Sequence, residues 1–222
     1  MLTRLSVRNF KRFDDVEIEL GNPVVFVGPN NLGKTTALQA LALWEIGVRR
    51  WFERRVGKTQ QPEKRPGVTI NRKDLLAVPV PNAKHLWRDL HVRSGSRSHG
   101  KPPTQNIRID LVVDGVTDGK KWSCGLEFDY ANEESFYCRP LQTQVDGVSR
   151  RMAVPQEAGR VRVAFLPPMS GLMAQETFLQ PGKINVLIGE GQTAQVLRNL
   201  CLQILLSEIP KNGEIGAAGE GA

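Results

Sequence analysis

The chain has 222 residues, 40% of them apolar and 24% charged, with a formal charge of +7 and three cysteines. That balance excludes a disordered or collagen-like chain and leaves enough length for a substantial core. No apolar run approaches the roughly 18 residues of a membrane helix, and Met1–Val7 lacks the apolar core of a signal peptide. No membrane partner is therefore expected. Cys124, Cys138 and Cys201 are odd in number and scattered, which reads as reduced thiols in a cytoplasmic protein.

Charge is uneven. Residues 1–101 carry 19 basic and 9 acidic side chains; residues 102–222 carry 11 and 14. Arg49–Lys73 holds nine basic residues (Arg49, Arg50, Arg54, Arg55, Lys58, Lys64, Arg65, Arg72 and Lys73) against Glu53 and Glu63. A cationic stretch concentrates polyanions, so DNA is a candidate partner through Arg49–Lys73. A solvated helix end followed by a charged loop explains the same residues equally well.

Leu2–Val7 and Val16–Leu20 alternate as half-buried strands do, and Val24–Val27 is a short apolar run expected as a strand buried on both faces. A long helix is expected from about Gly33, with Leu38, Leu41, Ala42, Glu45 and Val48 on one stripe. Residues 51–104 read as a basic insertion, with short helical turns at Lys73–Ala77 and Ala83–Leu90. Alternating strands follow at Ile107–Val113, Trp122–Tyr130 and Phe136–Leu141, with turns at Asp118-Gly119 and Asp146-Gly147. Val161–Leu166 is expected as a further strand and Thr193–Leu206 as a helix. Residues 207–222, rich in Gly and Ala, read as a flexible tail.

Gly28-Pro29-Asn30-Asn31-Leu32-Gly33-Lys34-Thr35 fits the phosphate-loop pattern G-x-x-x-x-G-K-[ST] at every position. Its predicted place, after a strand and opening a helix, is the one that pattern requires. Gly28 and Gly33 admit backbone angles that side chains would block. Successive N–H groups then converge on phosphate oxygens, Lys34 reaches the outer phosphates, and the Thr35 hydroxyl ligates Mg²⁺. Thr36 adds a contact on the α-phosphate side. The expected cofactors are ATP and Mg²⁺.

Together, L-x-V-R-N-F-K-R-F, a return strand and V-x-F-V-G-P-N-N-L-G-K-T-T resemble the N-terminal lobe of ABC-type head-domain ATPases. This SMC-like group includes RecF, SbcC and OLD-type proteins and the ATPases of several bacterial defence systems. The resemblance is specific over residues 1–50 and looser over 105–200. It implies an α/β P-loop fold, a mixed sheet flanked by an antiparallel β-layer. It also implies that Lys11 and Arg12 curl near the nucleotide, and that Gln175 serves as the glutamine at Mg²⁺ and the attacking water. A head-to-head homodimer and a partner nuclease belong to the same expectation, with work in DNA repair or defence.

The group also uses an L-S-G-G-Q-like signature and an apolar strand ending in Asp-Glu. Leu187-Ile188-Gly189-Glu190-Gly191-Gln192 resembles the signature superficially, but no such strand follows it. Leu126-Glu127-Phe128-Asp129 and Ile109-Asp110 alternate, so their carboxylates leave the apolar face. His85, His91 and His99 have no zinc spacing. Residues 1–206 therefore read as an N-terminal lobe of a longer protein, expected to bind ATP and hydrolyse it poorly. The alternatives are a nucleotide-gated interaction module and a P-loop enzyme of another branch. The latter lacks support, since no N-K-x-D motif or lid arginine cluster follows.

Overall fold

A computed structural model describes residues 1–54, 67–75, 77–94, 105–145, 147–164 and 175–208. The chain forms two compact units, Met1–Phe165 and Leu166–Ala222.

The strands of the first unit are β1 (Leu2–Phe10), β2 (Phe13–Glu19), β3 (Val68–Asn71), β4 (Arg93–Ser94), β5 (Gln105–Asn106), β6 (Ile109–Thr117), β7 (Lys120–Asn132), β8 (Ser135–Pro140), β9 (Gln142–Val145) and β10 (Val148–Arg151). Six of them make one sheet in the order β2-β1-β6-β7-β8-β3, antiparallel at every step. β9–β10 and β4–β5 are separate two-stranded pairs. Asp118 (φ +51°) and Gly119 (φ +75°) make the expected tight turn between β6 and β7.

Helix α1 (Lys34–Glu53) lies across one face of the sheet, and the one-turn helix α2 (Gln156–Gly159) meets it near Phe52. Alternation assigns Leu5, Val7, Leu111, Val113, Leu126, Phe128, Phe136 and Cys138 to this face, and all are buried. Trp44 is fully buried and donates Nε1–H to Cys124 O at 2.9 Å, so its polar atom is satisfied within the core. Gly47 lies close against the sheet: a Cβ there would lie 2.7 Å from Leu126 and 3.0 Å from Cys138 Sγ.

The α/β class and the antiparallel β-layer are as expected. Several local expectations change. Val24–Val27 joins no sheet; Val25 is 78% and Val27 89% exposed. An apolar run needs a neighbouring strand to become a ladder, and none among the described residues lies beside it. The helix stripe is also rotated. Leu38 is 46% exposed and Leu41 half-buried, whereas Ala37, Ala40, Leu43 and Trp44 are buried and residues 42–48 are covered all round. Val161–Ala164 is not a strand; Phe165 and Leu166 lie outside the described residues.

The second unit contains α3 (Pro181–Gly189), a 3₁₀ turn at Thr193–Val196 and α4 (Leu197–Glu208). Glu176 organises it. Its carboxylate accepts from the backbone N–H of Arg198 (2.9 Å) and Asn199 (2.8 Å) and from Asn199 Nδ2 (2.6 Å), near the start of α4. Burial pushes this carboxyl up, but the hydrogen bonds outweigh it and hold it below its ordinary value. Leu187–Gln192 spans the end of α3 and a turn with Gly191 at φ +81°, so it closes one helix before the next begins. Among the described residues no helix is long and apolar enough to cross a membrane. Cys124 and Cys138 are buried, Cys201 is exposed, and all three are free thiols. Of the tail, only Ser207 and Glu208 are described, in the last turn of α4.

Candidate functional site

The eight-residue loop Gly28–Thr35 leads into α1 through three left-handed residues, Gly28 (φ +150°), Asn31 (φ +72°) and Gly33 (φ +94°). Gly33 is required twice over. Its φ suits only glycine at low cost, and a Cβ there would lie 2.5 Å from Phe13 Cε1 and 3.3 Å from Arg12 Cδ. The ring of Phe13 thus packs against the point where the loop becomes helix. Lys34 folds back into the loop, donating from Nζ to Gly28 O and Pro29 O, both at 2.7 Å. Pro29, Asn30, Asn31 and Leu32 form the exposed rim, Thr35 is exposed and Thr36 turns inward and is buried.

The N-terminus of α1 is bare. Gly33 gives no side-chain cap and no acidic residue stands in the first turn; the first intrahelical bond is Ala37 N–H to Gly33 O at 2.9 Å. A 20-residue helix therefore presents unsatisfied N–H groups and the positive end of its dipole at the loop. Phosphate oxygens fit those donors. Beside the loop is a groove of about 830 Å³, lined by Leu5, Leu20, Val24, Val25 and Leu38, with Lys34 and Thr35 at one end.

Residues 1–44 match the family model of the AAA ATPase domain. Over 43 residues the chain is 49% identical to an OLD nuclease of Thermus scotoductus, a stretch covering 19% of this chain and 8% of that protein. The N-terminal segment thus resembles that of an OLD-like, AAA-class ATPase. Gly28–Thr35 falls inside the residues that match the AAA ATPase domain.

The remaining candidate residues separate. Arg12 lies along Gly33. Lys11, at φ +51°, instead donates from Nζ to Gln39 Oε1 at 2.7 Å, and burial pushes its ammonium down to about 8. Gln175 is exposed and belongs to the second unit, beside the Glu176 cap. In the basic segment, Arg49 pairs with Glu45 and Glu53, Arg50 with Glu53 and Asp74 (2.8 Å), and Arg72 with Glu134. Arg54 is exposed; Arg55, Lys58, Lys64 and Arg65 lie outside the described residues, as does the Lys73 side chain.

Sequence reasoning missed a second polar centre. Glu127 does leave the apolar face, yet it is completely buried. It accepts from Arg108 Nη1 (2.6 Å), Arg139 Nε (2.6 Å), Arg151 Nη1 (2.9 Å) and Gln142 N–H (3.1 Å). Burial pushes its carboxyl up, but those donors prevail and hold it below the ordinary range. Asp129 also pairs with Arg139, yet burial raises its pKa, as it does that of Asp110. The signal lay in arginines at 108, 139 and 151, far apart in sequence and joined only by strand register. Among the described residues no group of three or more His, Cys, Asp or Glu could hold a metal ion.

Proposed function

We propose that this chain carries the ATP-binding lobe of an OLD- or SMC-like ATPase acting on DNA, in repair or anti-phage defence. The observation behind this reading is the phosphate loop itself. Two left-handed glycines and a bare helix end surround a lysine that donates to loop carbonyls. An incoming phosphate takes the Lys34 ammonium from Gly28 O and Pro29 O and accepts the free N–H groups. Mg²⁺, when bound, screens the phosphate charge; the exposed Thr35 hydroxyl is the group in this chain that would ligate it. Arg12, lying along Gly33, is the better placed of the two turn cations to add a phosphate contact.

Hydrolysis calls for a carboxylate at the end of an apolar strand. Neither Glu127 nor Asp129 serves, because both are committed to arginines on the opposite face of the sheet. A second lobe supplies that strand in this reading. The exposed Val24, Val25 and Val27 and the apolar groove beside them suit its packing, since burying such side chains is worth about 1.5–3 kcal/mol each. Head-to-head pairing of two such lobes and a nuclease partner or domain complete the proposal.

Calorimetry of the chain with Mg–ATP tests it. Binding that Lys34→Ala reduces at least about 100-fold, roughly 2.7 kcal/mol, is the expected result. Equal affinity in that variant sinks the reading. DNA contact through Arg49–Lys73 is tested separately, by duplex titration across salt concentrations. Four to six phosphate contacts give a log–log slope of about −4 to −5. No binding at low salt removes this segment as a DNA surface.

A further inference from the structure

The turn that backs the phosphate loop is itself held from behind. Asn9 (φ +55°) and Lys11 (φ +51°) are both left-handed, a conformation that costs a non-glycine residue about 1 kcal/mol or more and persists only where its surroundings impose it. Asn9 Nδ2 donates to Arg108 O at 3.0 Å. The other restraints come from the insertion, at Ala83–Leu90. Lys11 N–H donates to Leu86 O at 2.8 Å, Phe10 forms an antiparallel bridge with Trp87, and Arg88 Nη1 lies 2.5 Å from Asp14 Oδ2. The far side of this segment is anchored to the sheet. Ala83 N–H donates to Glu133 O (2.9 Å), Trp87 Nε1–H donates to Ile107 O (2.7 Å), and the Trp87 ring meets Tyr130 and Phe136 edge-on.

We propose that Ala83–Leu90 is a positioning element for the phosphate loop, acting through the Phe10–Phe13 turn, with Arg88 and Phe13 as its positioning residues. The proposal rests on the nucleotide-binding reading. Its route is contiguous: Leu86, Trp87 and Arg88 fix Lys11, Phe10 and Asp14, and the same turn presents Phe13 and Arg12 to Gly33. Gly33 sets the direction of the first helical N–H groups, so a shift of the Phe13 ring re-aims the phosphate donors. The insertion that carries the basic stretch thereby reaches the loop that holds phosphate.

The test is a charge swap at an exposed pair. Arg88 and Asp14 are 37% and 74% exposed at their side chains, so changing them leaves the core untouched. Mg–ATP and, separately, tripolyphosphate are titrated into the unaltered chain, Lys34→Ala, Arg88→Glu and the double variant Asp14→Arg/Arg88→Glu. Thermal unfolding without nucleotide is followed alongside. Arg88→Glu is expected to weaken both ligands about three- to tenfold with its thermal transition intact, and the swapped pair to restore them. Phe13→Leu is expected to weaken them similarly. If Lys34→Ala loses ATP while Arg88→Glu and Phe13→Leu bind it like the unaltered chain, the positioning role is wrong and the nucleotide site stands. Failure of the double variant to restore affinity also overturns the coupling. No ATP binding by the unaltered chain overturns both readings.

Discussion

The two faces of the central sheet are built by opposite rules. The face under α1 is apolar from β1 to β8, with only Glu45 and Thr36 as buried polar side chains on the helix that covers it. The other face carries charges in register across the strands. Asp15, Arg8, Asp110, Glu127 and Arg139 make one rung, and Arg4 bridges Glu17 and Asp114 on β2 and β6. On the apolar face, energy comes from contact area, which tolerates rotation of a helix stripe. On the charged face it comes from pairing, which does not. The phosphate loop belongs to the first kind of construction. It sits where the helix emerges from the apolar layer, and its rim from Pro29 to Leu32 is exposed.

Removing Glu127 is the sharpest way to break the comparison. Glu127→Ala leaves Arg108, Arg139 and Arg151 facing one another without their shared acceptor, and stability should fall by about 3–5 kcal/mol. Urea unfolding measures it. Lys34→Ala, by contrast, should leave the urea midpoint where it was. A loss under about 1 kcal/mol in Glu127→Ala would mean that solvent reaches the arginines and that the second face is no more demanding than an ordinary surface. The pH sense follows from the same bonds. A carboxyl held below its ordinary range stabilises the native state above its unfolded pKa, and that contribution fades as pH falls through the folded value. Asp110 and Asp129, raised by burial, pull the other way and are relieved on acidification.

The difference between the faces also explains what the sequence made legible. The pattern behind the proposed phosphate loop is local: eight consecutive residues carry it, and Gly28 and Gly33 take positive φ angles that favour glycine. The alternating strands of the β-layer were readable for the same reason, since period two is written along each strand. Val24–Val27 misled because an apolar run states a capacity to be buried, while the burying partner is encoded elsewhere. Leu38 misled because periodicity counts apolar positions without saying which side the sheet lies on. Glu127 was invisible because its three arginines come from residues 108, 139 and 151, joined by pairing of β7 with β8 and by the β9–β10 hairpin. Trp87 and Arg88 were readable as part of a short helical turn and not as a brace for residues 10–14.

Lys11 tests the boundary between the two kinds of construction with the smallest effect. Its ammonium is partly buried against α1 with Gln39 Oε1 as its hydrogen-bond partner, and its ring neighbour is Phe10 at 5.9 Å. Burial lowers it from an ordinary 10.5 to about 8. Between those values the unfolded chain holds the proton and the folded chain gives it up, so stability should rise as pH rises from about 8 to 10.5. Below the lower value both states are charged, and the native state carries a constant penalty. At about 1.4 kcal/mol per pK unit, reduced because the site is only partly closed to water, the rise should be about 1–2 kcal/mol. The neutral amine keeps an N–H for Gln39, so deprotonation does not orphan that carbonyl oxygen. Burial raises the Cys124 and Cys138 thiols, which pulls stability the other way as pH rises, so the Lys11 contribution is read as a difference: from pH 7 to 10 the urea midpoint of the unaltered chain should gain on that of Lys11→Met. If the two pH curves run parallel, the Lys11 amine is open to water and the turn beside Gly33 belongs to the exposed surface rather than to the apolar layer.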